Sequence, residues 1–324
     1  MGRQTISKID EIVGRINTHP EYSKCVSQRF ISSLRDDAYR HSVSIELESG
    51  GYLGKKDLEE LRVKCYNQLK NGRAYLSKED NLSLTTFATL GKIVEPIGHP
   101  SGNFRSEEVK YGDFYGVSPM NVPTQMDDLI WMLNEKTDIH PLDRAAKSHL
   151  EIIRIHPYND GNGRIARLVQ DFCLEQRGYP PAIIPIRQRE MYLDILNNLW
   201  DSRLNKGVES EEYKKSEAIF YDLIHSAELD SLNKLQEELR KNRIYEVFLE
   251  GKMDKALLIG LTNSLKSFAE HKGKQIVANH IHKRREVNSF GVKGNISSEE
   301  IEKFLKKSQR KFKFKFKINS VCDW

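Results

Sequence analysis

Apolar residues recur at helical spacing from the start of the chain. Ile6, Ile9, Ile12, Val13 and Ile16 form one stripe of a helix that His19-Pro20 should close. Phe30, Ile31 and Leu34 open a second stripe, which leads into YRHSVSIELESGGYLG. Lys56 to Leu69 predicts a third helix ending at Asn71-Gly72, and Leu82 to Ile93 a fourth that stops short of Pro96. The pattern then breaks. Glu95 to Pro123 is dense in Gly, Pro and Ser, with a short alternation at Val109-Lys110-Tyr111, and predicts a loop bearing a small β-hairpin. Helical spacing returns over Met126–Leu133, Leu142–Ile155 and Ile165–Gln176, the last capped by Gly178 ahead of Pro180-Pro181. Met191–Trp200, Tyr213–Leu223 and a long charged run from Leu229 to Val247 predict three more helices.

The texture changes again near residue 250. Ser297, Ser298 and Glu300 read as an N-cap with its capping-box partner for a helix over Ile301–Lys307. KFKFKFKI then alternates strictly, with Phe312, Phe314, Phe316 and Ile318 on one face and lysines on the other, as in a half-buried strand. The whole pattern predicts a mainly α protein in three parts. A helical region spans 1–89, a helical core with its hairpin spans 90–225, and a helix with a small α/β module spans 226–324.

Composition narrows the function. With 324 residues there is room for two or three domains, and 30% charged residues with a mean hydropathy of -0.60 fit a polar globular protein. No apolar run approaches a membrane span, and MGRQTISKIDEIVGRI lacks the apolar core of a signal peptide. Ile6 stands where a myristoylation signal needs Ser or Thr. Cys25, Cys65, Cys173 and Cys322 are scattered without metal or disulfide spacing, which suits a reduced, cytoplasmic setting. The net charge of +5 is local, because Lys303–Lys317 holds eight basic residues and no acid. A chain-wide nucleic-acid footprint is therefore not supported. His271, His280 and His282 have no Cys or acid at metal-site spacing and read as surface histidines. GGYLGKK has the wrong glycine spacing for a P-loop and reads as a turn.

The candidate chemistry lies in RIHPYNDGNGRIAR, Arg154 to Arg167. His-Pro occurs four times, but only His156-Pro157 is followed by an acid, a Gly-Asn-Gly run and two arginines three apart. The stretch spans the end of one helix, a tight loop and the start of the next, where unpaired N–H groups and the macrodipole attract anions. Gly161 and Gly163 let the backbone approach a ligand. Arg164 and Arg167 can grip successive phosphates. Asp160 offers the hard oxygen that Mg²⁺ prefers, Asn162 an amide donor, and His156 a base suited to neutral pH. The set fits phosphoryl or nucleotidyl transfer.

HPYNDGNGRIAR resembles the signature of the Fic family, His-Pro-Phe-x-(Asp/Glu)-Gly-Asn-Gly-Arg-x-x-Arg, with Tyr158 in place of the usual Phe. That tyrosine must pair its hydroxyl or turn it to water. HPLDRAAKSHLEIIRIHPY and GNFRSEEVKYGDFYGVSPMNVPTQMDDL resemble the family's approach helix and flap, so the likeness covers roughly Leu90 to Leu223. The resemblance implies a Fic-type helical core and transfer of AMP from ATP to a Tyr, Thr or Ser hydroxyl of a target protein. His156 would be the base, Asp160 the Mg²⁺ ligand, Gly161, Asn162 and Gly163 the anion hole, and Arg164 and Arg167 the phosphate clamps. Tyr192 and Leu196 would line the adenine pocket, with core packing as the alternative for both. The flap, with Val109, Lys110, Tyr111 and Gly112, would register the target by β-augmentation. Gly163 stands where the related Doc proteins have Lys, which favours nucleotidyl over phosphoryl transfer. Self-modification and a homo-oligomer stay open.

Fic proteins often carry an inhibitory helix, Ser/Thr-x-x-x-Glu-Gly/Asn. HSVSIELESGG supplies Ser42 and Glu46 at that spacing, after Ile45 but followed by Leu47; Ser44 and Glu48 fit the spacing without the preceding Ile. Glu46 is the preferred brake, by pairing with Arg167. Two other readings remain: removal of AMP from a modified target, and regulatory binding through the basic C-terminal module.

Overall fold

The computed structural model describes residues 2–17, 28–47, 55–95, 103–135, 138–241, 243–250, 255–284, 287–310 and 314–322. His19-Pro20, Cys25, Glu48, the GGYLG turn, Lys311, Phe312 and Lys313 lie outside them. By packing, the chain divides into two compact units, residues 1–15 with 31–232, and residues 16–30 with 233–324.

The first unit is helical, as the apolar pattern predicts. Its helices are α1 (Gly2–Asn17), α2 (Gln28–Leu47), α3 (Lys55–Leu76), α4 (Leu84–Val94), α5 (Val122–Asn134), α6 (Pro141–Ile155), α7 (Asn162–Glu175), α8 (Arg189–Lys206) and α9 (Glu211–Lys241). Helix α7 is the centre. Residues Arg164 to Leu174 are buried on every side, as expected of a helix enclosed by others. Helices α3, α4 and α6 pack against it, and α5 covers α6. Helix α6 starts where His140 accepts from the Leu142 N–H and Pro141 occupies the first turn. The stripe of α2 buries Leu34, Ala38, Val43 and Ile45 and carries Ser42 inward with them. Strands β1 (Lys110–Tyr111) and β2 (Phe114–Tyr115) form the expected hairpin, pairing antiparallel across Gly112, whose φ is +56°.

Three boundaries differ from the pattern, the first being that Tyr213–Leu223 and the run from Leu229, expected as two helices, join in the single helix α9. Helix α3 runs through Asn71-Gly72 to Leu76. Gly72 is used for closeness instead of a cap: a Cβ there would lie 3.0–3.2 Å from Leu168, Leu90 and Val94. The expected helix over Leu229–Val247 is also wrong at its end. Helix α9 stops at Lys241, and β3 (Arg243–Glu250) follows. Tyr245, Val247 and Leu249 alternate inward there, and the β-branched and aromatic residues of RIYEVFLE suit a strand.

The second unit continues with α10 (Lys255–Glu270), β4 (Ile276–Arg284), β5 (Val287–Gly294), α11 (Ser298–Gln309) and β6 (Lys315–Cys322). The four strands form an antiparallel sheet in the order β4-β5-β3-β6, a βαββαβ arrangement. Leu261, Leu265, Ile301 and Leu305 of the two helices share one core with Tyr245, Val247, Phe290 and Val292 of the sheet. Ser297 and Glu300 form the expected capping box. Just before β6 Phe314 is buried; on β6, Phe316 and Ile318 pack against the core, and Lys315 and Lys317 face solvent. His271 is exposed, its Nδ1–H donating to the Ser267 carbonyl at 2.7 Å. No described helix is long and apolar enough to cross a membrane.

Candidate active site

The loop between α6 and α7 is held by its own side chains. Helix α6 ends when His156 turns left-handed, at φ +52°, and α7 begins after Gly161, at φ +81°. Asn162 clips the loop shut: its Oδ1 accepts from the Tyr158 N–H at 3.0 Å and its Nδ2–H donates to the Tyr158 carbonyl at 2.8 Å. The amide expected to donate to an anion is thus used within the loop. Tyr158 is fully buried and its hydroxyl donates to the Phe87 carbonyl at 2.7 Å, which resolves the demand a tyrosine makes at this position. Gly91 gives its ring room, since a Cβ there would overlap Tyr158 Cε1.

His156 Nδ1–H donates to the Ile153 carbonyl at 3.3 Å, leaving the Nε2 lone pair as the basic atom. The flap covers the ring. Tyr111 stacks on it at 4.3 Å between centroids with planes 6° apart. Burial, with Arg105 nearby, lowers the His156 pKa to about 4. Burial likewise pushes the Tyr111 hydroxyl up to about 12.

Arg105 fastens flap to loop, and motif reading missed it. The buried guanidinium donates from Nε to the His156 carbonyl at 2.6 Å and from Nη1 to the Glu107 carbonyl at 2.7 Å. Its Nη2 donates to the Val117 carbonyl and, at 3.3 Å, to that of Ile155. One side chain therefore satisfies the last carbonyls of α6 and both flanks of the hairpin. Gly116 makes the approach feasible, because a Cβ there would come within 2.6 Å of Arg105 Nη2 and 2.8 Å of His156 Cβ. The legible signal was indirect: a helix ending in a left-handed residue leaves carbonyls that need donors.

The two motif arginines have different surroundings. Arg164 donates from Nη2 to Glu95 Oε2 at 2.8 Å and from Nη1 to the Val94 carbonyl at 3.3 Å. Its guanidinium ties the loop to the end of α4. Arg167 meets α2 instead. Its Nε–H donates to Ser42 Oγ at 2.8 Å, and its Nη2 donates to the Ser42 carbonyl at 3.1 Å and to Glu46 Oε1 at 2.7 Å. A Cβ on Gly163 would overlap Glu46 Oε1, so the glycine also admits this carboxylate. Tyr192, expected at the adenine pocket, is only 2% exposed. It lies behind Arg167, its oxygen 3.4 Å from Nη1 and 2.9 Å from His149 Nε2. Leu196 is buried as well, as core packing requires.

Asp160 is the open acid of the loop. Its side chain is 69% exposed, and Oδ1 accepts from the Gly161 N–H at 2.6 Å. Among the described residues no group of three or more His, Cys, Asp or Glu could hold a metal. A cation here would take one carboxylate from the protein and the rest from phosphate and water, which is how Mg²⁺ is commonly bound. Asp160 fits that demand.

A family model described as "Fic/DOC family" matches residues 81–174. The chain is similar to the protein adenylyltransferase fic-1 of Caenorhabditis elegans, 37% identical over 135 residues, which are 40% of this chain and 27% of that protein. It is also 33% identical over 126 residues to the protein adenylyltransferase Fic of Nematostella vectensis, covering 38% of this chain and 30% of that one. The chain thus matches under a third of the length of these curated relatives. In fold it is similar to a Fic-domain signalling protein of Bacteroides thetaiotaomicron, with TM-score 0.57 and 23% identity over 72% of this chain and 96% of that one. Residues 81–174 thus match the Fic/DOC family model, and the loop from His156 to Arg167 lies within the matched stretch.

Proposed function

We propose that this chain transfers AMP from Mg-ATP to a hydroxyl of a target protein, and that Glu46 holds the reaction in check. The observation that carries the reading is His156, its Nδ1 turned to the Ile153 carbonyl, beside the start of α7 and the exposed Asp160 carboxylate. The identity to curated adenylyltransferases supports it.

In this reading His156 Nε2 takes the proton of the incoming hydroxyl. The hydroxyl oxygen forms a bond to the α-phosphorus, the bond from that phosphorus to the α,β-bridging oxygen breaks, and pyrophosphate leaves. Mg²⁺ held by Asp160 would neutralise charge on the phosphates. The start of α7 supplies N–H groups and dipole to the oxyanion. The hairpin edge receives an extended target segment, and Arg105 keeps that edge in register with His156. Arg167 is the clamp for the distal phosphates, and Glu46 competes for it. The carboxylate sits where phosphate charge would sit, so the nucleotide binds unproductively until α2 lets go.

The test is the position of the label. With Glu46→Gly protein, transfer from ATP labelled at the α-phosphate and not at the γ-phosphate is expected. Transfer of the γ-label would contradict the reading and favour phosphoryl transfer. Loss of label from a pre-adenylylated protein on adding wild type would favour AMP removal.

A further inference from the structure

We infer that His149, through Tyr192, is a positioning residue that aims Arg167 at the nucleotide's distal phosphates; this rests on the reading above. The argument follows protons. Gln170 Nε2 donates to the Ala182 carbonyl at 3.2 Å and to Asp171 Oδ1 at 3.2 Å, which fixes the orientation of the amide. Its Oε1 therefore faces His149 Nδ1, at 2.8 Å, and can only accept. His149 must carry its proton on Nδ1. The ring is wholly buried, and burial with Arg167 nearby lowers its pKa to about 3, so it is neutral. Its Nε2 then offers a lone pair, and Tyr192 donates its hydroxyl proton there at 2.9 Å. With that proton committed, the Tyr192 oxygen turns a lone pair toward Arg167 Nη1 at 3.4 Å. The Tyr192 ring face also lies 5.9 Å from the Arg167 Cζ.

Every bond points one way, from Arg167 through Tyr192 and His149 to Gln170. Aligned chains of this kind strengthen each member, making the tyrosine oxygen a better acceptor. The anchor matters because of where the other partners come from. Among the described residues, Arg167's remaining hydrogen bonds go to Ser42 and Glu46, both on α2. When α2 releases the arginine those bonds are lost together. The Tyr192 hydroxyl, on α8, remains. The brake is the removable support and the relay the permanent one.

Tyr192→Phe and His149→Phe remove the relay's acceptor or its source of order. His149→Gln restores an amide oxygen able to accept from the Tyr192 hydroxyl. The experiment measures ATP and AMP affinity by titration calorimetry, with KM for ATP and kcat, all in the Glu46→Gly protein. ATP affinity should fall about tenfold in both Phe variants, equivalent to one lost buried hydrogen bond. AMP lacks the distal phosphates, so its affinity should change by less than about twofold, and His149→Gln should recover most of the ATP affinity. Unchanged ATP affinity in Tyr192→Phe would overturn the relay. A parallel loss of ATP and AMP would overturn it too, by showing a general structural role. If the Glu46→Gly parent itself neither binds ATP nor transfers a label, the functional reading fails, and the relay's role fails with it.

Discussion

His156 is the sole described non-glycine residue with positive φ, and it is also the proposed general base. A left-handed histidine costs about 1–2 kcal/mol, a strain the surrounding bonds must offset. Arg105 does so by gripping the His156 carbonyl. Removing that grip with Arg105→Ala takes the guanidinium donor away from the buried Ile155 carbonyl and from the part-buried carbonyls of His156, Glu107 and Val117. We expect a loss of about 1–3 kcal/mol in chemical denaturation, and a fall in kcat larger than any rise in KM for ATP. The histidine also predicts an unusual acid limb. A protonated imidazole cannot accept the hydroxyl proton, so activity is lost as pH falls through the His156 pKa, which burial lowers to about 4. The kcat/KM profile of the Glu46→Gly protein should therefore stay level through pH 6.5 and decline only near 4. A limb at 6.5 would mean that the ring is solvated and that Tyr111 does not cover it. Burial of this neutral imidazole adds stability that is complete above the unfolded histidine pKa and declines as pH falls toward the folded value.

At the scale of elements, the junction of α6, loop and α7 works because α4 accommodates it. Tyr158 lies where Gly91 has no side chain. Gly91→Ala should force the ring aside and destabilise the fold by about 1–3 kcal/mol, read as a lower denaturation midpoint at unchanged slope. An unchanged midpoint would show that the ring can yield. Such contacts explain what was legible in the chain. The loop could be read because each residue type in HPYNDGNGRIAR answers a chemical need, and the hairpin because its alternation stands within a loop. Arg105, Glu95 and His149 were not legible. Each acts on an element far away in sequence, and a lone arginine, glutamate or histidine has no pattern. Gly72 read as a cap because the sequence alone cannot show Leu168 packed against it. The run from Leu229 read as one helix because its apolar spacing continues past Lys241, where tertiary pairing with β5 and β6 turns Arg243–Glu250 into a strand.

Across the whole molecule, stability and function lie in different places. Glu228 on α9 is fully buried, and neither of its carboxylate oxygens has a hydrogen-bond partner among the described residues. Burial, with Asp171 and Glu175 adding negative charge, raises its pKa well above the usual value. A raised acid binds its proton more tightly in the folded state, so its contribution is retained at low pH and lost as pH rises through the folded pKa. Glu228→Leu should therefore stabilise the protein by about 1–3 kcal/mol at pH 8 and by less at pH 5. Destabilisation at pH 8 would show that the carboxylate has a structural use. The proposed reactive centre is organised otherwise, around one arginine that pairs with Glu46 and that a phosphate would claim in the proposed reaction. The most direct test of that claim is the intact mass of the protein after incubation with Mg-ATP. Wild type, Glu46→Gly and Glu46→Gly/His156→Ala should be compared. The account predicts an AMP-sized adduct that is strong in Glu46→Gly, weak in wild type and absent from the double variant. An adduct equally strong in wild type would contradict the role of Glu46, and an adduct persisting without His156 would contradict the chemistry.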